Sequence, residues 1–328
     1  FPQLIAGPIV HHAEVIPQIR GVGEGAAHRR EVIWENCAVG LTLLVIGLAK
    51  KVVIADSLAP HASIVFEHAG RGLTVGLQPA WQGALAYTGQ LYFDFSGYSD
   101  MAVGLARIFG ITLPANFNSP YKSGSIVEFW RRWHMTLSRF LRDYLYIPLG
   151  GNRQGPARRY TNLFIVMLLG GLWHGAGWTF VIWGALHGTY LLAAHAWREW
   201  SPWKLPRAVG WALTFLAVVV AWVFFRADSV AAALEILSGM IGLNGLAPVP
   251  GARRGTGLIL AALALAAAVI LPNSYQITRR YAPVLDPIEN PSGWRARLVW
   301  HPAGWAALLA AAAAVVSILY SWRVSEFL

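Results

Sequence analysis

The chemistry in this chain centres on His174. It lies in the run Leu168-Leu169-Gly170-Gly171-Leu172-Trp173-His174-Gly175-Ala176-Gly177-Trp178, where four glycines surround the histidine and two tryptophans bracket it. Glycine lets backbone or ligand approach closely and can interrupt a helix. Inside a membrane such a break is tolerated only where it is buried or lines a cavity. The pattern predicts a histidine that faces an internal cavity, and the competing reading is a core histidine at a helix end. Imidazole titrates near neutral pH, so a cavity histidine can take a proton from an attacking hydroxyl or act as a nucleophile.

Other ionisable residues in apolar surroundings are His134, Asp94 and Asp100, and such residues are functional candidates at membrane depth. Asp94 and Asp100 stand six apart in Tyr92-Phe93-Asp94-Phe95-Ser96-Gly97-Tyr98-Ser99-Asp100. A paired-carboxylate acid/base site is one reading. The favoured one is that each carboxylate pairs with an arginine or caps a helix. His134 on its own reads equally as a satisfied core residue. His187 and His195 share one helical stretch and read as packing, while His11, His12, His28, His61 and His68 read as solvated surface. No phosphate loop, dinucleotide fingerprint, zinc spacing or nucleophile elbow is present. The single cysteine, Cys37, excludes an internal disulfide and a cysteine metal cage and reads as inert packing.

Composition says which elements must hold these residues. The 328-residue chain is 56% hydrophobic and 13% charged, with 16 tryptophans and a net charge of +10, against roughly 25% charged residues in a soluble protein. These values describe an integral membrane protein with a positive inner surface, not a nucleic-acid binder. Spans are expected at about 37–54, from 80 through the Asp94 run, at 178–197, 209–225, 257–271 and 303–322. The stretch 162–173 looks too short to cross alone, since a span needs roughly 20 apolar residues. Pro202, Pro206, Pro272 and Pro302 mark boundaries. The whole of 1–328 reads as one polytopic all-α domain. The start at Phe1 and the stop at Ser325-Glu326-Phe327-Leu328 suggest a fragment lacking N-terminal helices and a short tail.

The segment 120–160 holds eight basic residues against Glu128 and Asp143 and is assigned to the cytoplasmic side. Ser125-Ile126-Val127-Glu128 has capping-box form and starts a helix. At ~100° per residue, Ile126, Val127, Trp133, His134, Leu137, Phe140, Leu141, Tyr144 and Leu145 fall on one side. Glu128, Arg131, Arg132, Ser138, Arg139, Arg142 and Asp143 fall on the other. That describes one basic amphipathic helix at the membrane surface, ending at Ile147-Pro148-Leu149-Gly150-Gly151.

These residues also resemble a known family. Trp130-Arg131-Arg132-Trp133-His134 and Asp143-Tyr144-Leu145-Tyr146-Ile147-Pro148-Leu149-Gly150-Gly151-Asn152-Arg153 are similar to the membrane-bound O-acyltransferase family, MBOAT. So are Gly171-Leu172-Trp173-His174-Gly175, Trp183-Gly184 and His187-Gly188. Supporting pieces are Phe1-Pro2-Gln3-Leu4-Ile5-Ala6-Gly7-Pro8, Trp222-Val223-Phe224-Phe225-Arg226-Ala227 and Leu271-Pro272-Asn273. The Gly150–Arg153 turn points to the alginate O-acetyltransferase branch. The teichoic acid D-alanyl transferases share only the tryptophan–histidine elements.

The resemblance implies a multi-helix bundle with a central tunnel, in the bacterial inner membrane. It makes His174 the catalytic histidine and His134 a second functional one. Trp130, Arg131, Arg132, Trp173 and Asp100 become candidates for binding substrate or donor. The implied reaction needs no bound cofactor and takes acetyl-CoA as acyl donor from the cytoplasmic face. The implied partners are the bilayer and an exported polysaccharide or a periplasmic acetyl-relay protein. Trp173 or Trp178 indole N–H groups are candidate oxyanion donors. A proton-coupled transporter with a His/Asp relay and a scaffold that recruits an exporter are the rival readings.

Overall fold

The computed structural model describes residues 7–21, 29–252 and 255–321. The Phe1–Ala6 part of the first motif, His28 and the residues after Ser321 lie outside these. Every regular element among the described residues is helical.

After α1 (His12–Gly21), α2 (Arg29–Ala49) continues through a π-helical turn (Lys50–Ala55) into α3 (Asp56–Gly70). The rod from Glu31 to Gly70 is long and apolar enough to cross a membrane, and it greatly extends the span expected at 37–54. Against it lies α4 (Leu77–Ile108), 32 residues that run through Asp94 and Asp100 without a break. Two reciprocal glycine pairs make the contact. A Cβ on Gly40 would sit 2.5 Å from the Gly104 carbonyl oxygen, and one on Gly47 would sit 2.5 Å from that of Gly97. The backbones therefore touch, and the lysines beyond Gly47 reach the carboxylates of α4. Lys50 Nζ lies 2.6 Å from Asp100, and Lys51 Nζ lies 2.8 Å from Asp94 and 2.7 Å from Asp56. The expected arginine partners are thus lysines. They come from a rod distant in sequence, which local reading could not supply.

The expected single amphipathic helix is two. Ser125 caps α5 (Ile126–Trp130) as predicted, its Oγ accepting from the Glu128 N–H. The chain then turns at Arg131–His134, resumes as α6 (Met135–Leu141) and ends in a π-helical turn at Arg142–Tyr146. The break has a long-range cause. The loop at 116–118 grips the turn, with Asn118 N–H donating to Arg132 O and Met135 N–H to Asn116 O, both at 2.9 Å.

The stretch judged too short to span belongs to α7 (Gly155–His174), 20 residues long. It packs on α8 (Trp178–Trp200) through Gly171, Gly184 and Gly188. A Cβ on Gly184 would meet the Met167 carbonyl oxygen at 2.5 Å. Gly171 therefore brings two helices together, and neither it nor Gly170 interrupts α7. α9 (Arg207–Arg226) is the second helix long and apolar enough to cross a membrane. The short α10 (Val230–Met240) was not foreseen. The apolar α11 (Thr256–Ile270) and α13 (Gly304–Tyr320) stand where spans were expected but, at 15 and 17 residues, are shorter than the two spanning candidates, with the single turn α12 (Ser274–Ile277) between them. His61 and His68, expected as solvated surface, sit half-buried in α3.

Candidate active site

The α5–α6 turn holds His134 in the left-handed backbone region at φ 42°, a conformation that costs on the order of 1–3 kcal/mol outside glycine. The imidazole is buried. Its Nδ1 lies 2.9 Å from Asn116 Oδ1, which also accepts from Thr136 Oγ1 at 2.9 Å. Thr136 Oγ1 in turn accepts from the Ile9 N–H, and the Asn116 amide NH₂ donates to Ser99 Oγ. The network assigns Asn116 Oδ1 as an acceptor, so His134 donates from Nδ1 and keeps the Nε2 lone pair free. Phe95 stands edge-on to the ring at 4.8 Å.

His174 ends α7, where the chain leaves the helix at Gly175–Gly177. Its ring meets Trp183 at 5.2 Å and Phe225 at 5.0 Å. Trp173 stacks edge-on against it at 5.0 Å, but that indole is 62% exposed and Trp178 is 75% exposed. Behind His174 lies a buried aromatic box. Trp183 stacks on Trp222 at 5.9 Å, and Trp222 meets Trp133 at 4.9 Å. His187, 0% exposed, lies 4.9 Å from Trp183 and 5.0 Å from Trp130. The two histidines singled out from sequence thus join one aromatic cluster, His134 through Phe117 and Trp133 and His174 through Trp183.

A cavity of about 530 Å³ opens beside the box, with Trp130, Arg131, Arg139, Arg142 and His195 among its lining residues. Arg139 is held by Glu14 at 2.6 Å and Arg142 by Asp143 at 2.7 Å. The hydrogen bond from Arg142 keeps the Asp143 carboxyl below its usual range, so that pair stays ionised. Arg131 has no carboxylate partner among the described residues, and the other charged group on the lining outside an ion pair is Asp286, which accepts from the Ala115 N–H. Arg132 faces elsewhere, bridging Glu128 at 3.0 Å and Glu289 at 3.2 Å. Asp100 belongs to the Lys50 pair, where Ser274 Oγ also donates to it. Among the described residues no three His, Cys, Asp or Glu side chains group to hold a metal ion.

Sequence reading missed several neighbours. Asn116 carried no local signal, because its role depends on a fold-back across 18 residues. Trp183, His187, Leu191 and His195 did carry one. Their four-residue spacing places them along one side of α8. Leu191 and His195 line the cavity, and Trp183 touches His174.

Residues 1–232 match MBOAT, the membrane-bound O-acyltransferase family. The chain is 52% identical over 250 residues to a peptidoglycan O-acetyltransferase of Helicobacter pylori, covering 75% of this chain and 46% of that protein. It is 51% identical over 240 residues to the probable alginate O-acetylase AlgI of Azotobacter vinelandii, covering 73% and 46%. A teichoic acid D-alanyltransferase of Bacillus subtilis is 28% identical over 234 residues, covering 68% and 56%. The chain spans about half the length of the curated relatives it matches. With two helices among the described residues long and apolar enough to cross a membrane and a family match over more than half its length, the chain belongs to the membrane-bound O-acyltransferase family.

Proposed function

We propose that the protein moves an acetyl group from a cytoplasmic thioester donor, acetyl-CoA, across the bacterial inner membrane to hydroxyls of an exported polysaccharide such as alginate, directly or through a periplasmic relay protein. The observation that carries this reading is the file His195, Leu191, His187, Trp183 on α8, which leads from the arginine-lined cavity to His174. A donor entering the cavity would meet Arg131, whose guanidinium suits phosphate oxygens. Its acyl end would point along the file toward His174. There the imidazole takes the proton of the acceptor hydroxyl as its oxygen attacks the thioester carbonyl; transfer through acetyl-His174 is the alternative route. Names given to the relatives favour a glycan acceptor, since three of them act on cell-wall or exported polymers by name.

The transporter reading loses its carboxylates, because Lys51 and Lys50 already engage Asp94 and Asp100. The test expresses the full-length protein and a His174→Gln variant in a strain lacking it. Ester-linked acetate on the secreted polysaccharide is then measured against the amount of protein in the membrane. Loss of acetate at equal protein level is expected. Acetylation near the normal level would remove His174 from the chemical path and return the scaffold reading to the front.

A further inference from the structure

An indole N–H donates and never accepts, and a neutral imidazole carries one N–H and one acceptor nitrogen. The 3.2 Å contact from Trp130 Nε1 to His187 Nδ1 therefore makes Nδ1 the acceptor and puts the His187 proton on Nε2. That Nε2–H is wholly buried and finds no acceptor among the described residues, and neither does Trp183 Nε1 beside it. The third indole of the box, Trp222, also has a buried Nε1–H with no acceptor among the described residues, but it lies off the α8 file. Buried polar groups are nearly always paired. Two unpaired donors on neighbouring rings, both in the file between the cavity and His174, are the groups that an oxygen acceptor would satisfy.

We infer that His187 Nε2–H and Trp183 Nε1–H receive the carbonyl oxygen of the acyl thioester, and that Trp130 is the positioning residue that fixes the His187 tautomer. This rests on the acyl-transfer reading above. The acceptor hydroxyl oxygen bonds to the carbonyl carbon, its proton passes to His174, and the carbonyl π pair moves onto the oxygen between the two N–H groups. Collapse re-forms the carbonyl and breaks the carbon–sulfur bond. The departing thiolate takes the proton from His174, leaving an ester and a free thiol. Donors set in place before the charge develops act on turnover, and removing one costs about 10²–10³-fold.

The competing account is that His187 only fills the aromatic box, its N–H resting on a ring face. The two accounts rank variants in opposite order. Gln places an amide N–H where Nε2–H stands but fits an aromatic box poorly, whereas Phe fills the box and donates nothing. Full-length His187→Gln, His187→Phe and Trp183→Phe are expressed in a strain lacking the protein. Labelled acetate entering the polysaccharide is measured per unit of membrane protein. We expect His187→Gln to stay within about 10-fold of wild type and both Phe variants to fall by about 10²-fold or more.

Trp130→Phe should slow wild type but not the His187→Gln background, since an amide has no tautomer to fix; a packing role would slow both alike. Equal or better activity of His187→Phe than of His187→Gln, with wild type active, overturns the oxygen-binding pair and leaves acyl transfer standing. A wild-type protein that restores no acetate overturns acyl transfer itself, and the pair with it.

Discussion

His134 is placed by backbone strain that its neighbours hold in check. The left-handed turn at φ 42° persists because Asn116 engages it twice, through its carbonyl to Met135 N–H and through its side chain to Nδ1. Without Oδ1 the imidazole loses the acceptor that selects its tautomer and holds its orientation. Asn116→Ala should therefore lower acetate transfer by up to about 10²-fold, the cost of misplacing a group near the chemistry by about 1 Å. The decisive measurement is a double-mutant cycle. If Asn116 acts through His134, the double variant loses no more than His134→Ala alone; additive losses would mean that Asn116 serves something else. Trp173 fits the same logic in reverse. The resemblance makes it a candidate for the site, yet its indole touches only the edge of His174 and looks outward, while Trp183 occupies the inward face.

The helices that position these residues differ in how far sequence alone reveals them. Uniform apolar runs bounded by prolines, as in α9, α11 and α13, leave little choice of structure, and their limits were legible. The α5–α6 pair was not. Its 3.6-residue pattern runs straight through a turn that long-range hydrogen bonds impose, so periodicity reported the buried face correctly and the continuity wrongly. The α2–α4 contact was equally hidden, because Gly40–Gly104 and Gly47–Gly97 acquire meaning only once the two helices are antiparallel.

At these glycines a side chain has no space, since the opposing atom is a backbone oxygen and cannot swing aside. Gly104→Ala should destabilise the protein in detergent by about 1–3 kcal/mol, the usual cost of overpacking. Gly304→Ala, which meets nothing within 4 Å, should change stability by no more than about 0.5 kcal/mol. Thermal unfolding of the two variants side by side checks this. Equal midpoints would show that α2 and α4 can part without cost. The same contact sets the register that pairs Lys50 with Asp100, and removing one partner of such a buried pair leaves a charge worth about 3–5 kcal/mol of destabilisation.

Across the whole molecule, charge separates by end. α4 rises about 48 Å over its 32 residues, and the chain groups on either side of it. At one end Lys122 reaches the last turn of α11, Arg107 reaches Glu35 and Tyr281, and Arg159 reaches Glu199. Arg131 follows α5, Arg153 precedes α7, Arg158 lies in the first turn of α7, Arg198 in the last turn of α8, Lys204 between α8 and α9, and Arg207 at the start of α9. At the other end α3, α4 and α10 meet, with Gly76 and Leu77 bonded to Ala247 and Gly245, and Arg71 and Arg226 are the cations described there. The arginines that seemed scattered along the sequence are therefore mostly on one face. An excess of Lys and Arg marks the cytoplasmic side of a membrane protein, so the expected orientation has the arginine-lined cavity inside and the exposed turn at Leu243 outside. In a Cys37→Ser background, Leu243→Cys (75% exposed in the parent) should react with an impermeant maleimide on intact spheroplasts. Gln154→Cys, in the turn before α7, should react only after the membrane is opened. The reverse pattern would put the basic cavity outside, out of reach of a cytoplasmic thioester, and the direction of transfer proposed here would have to be inverted.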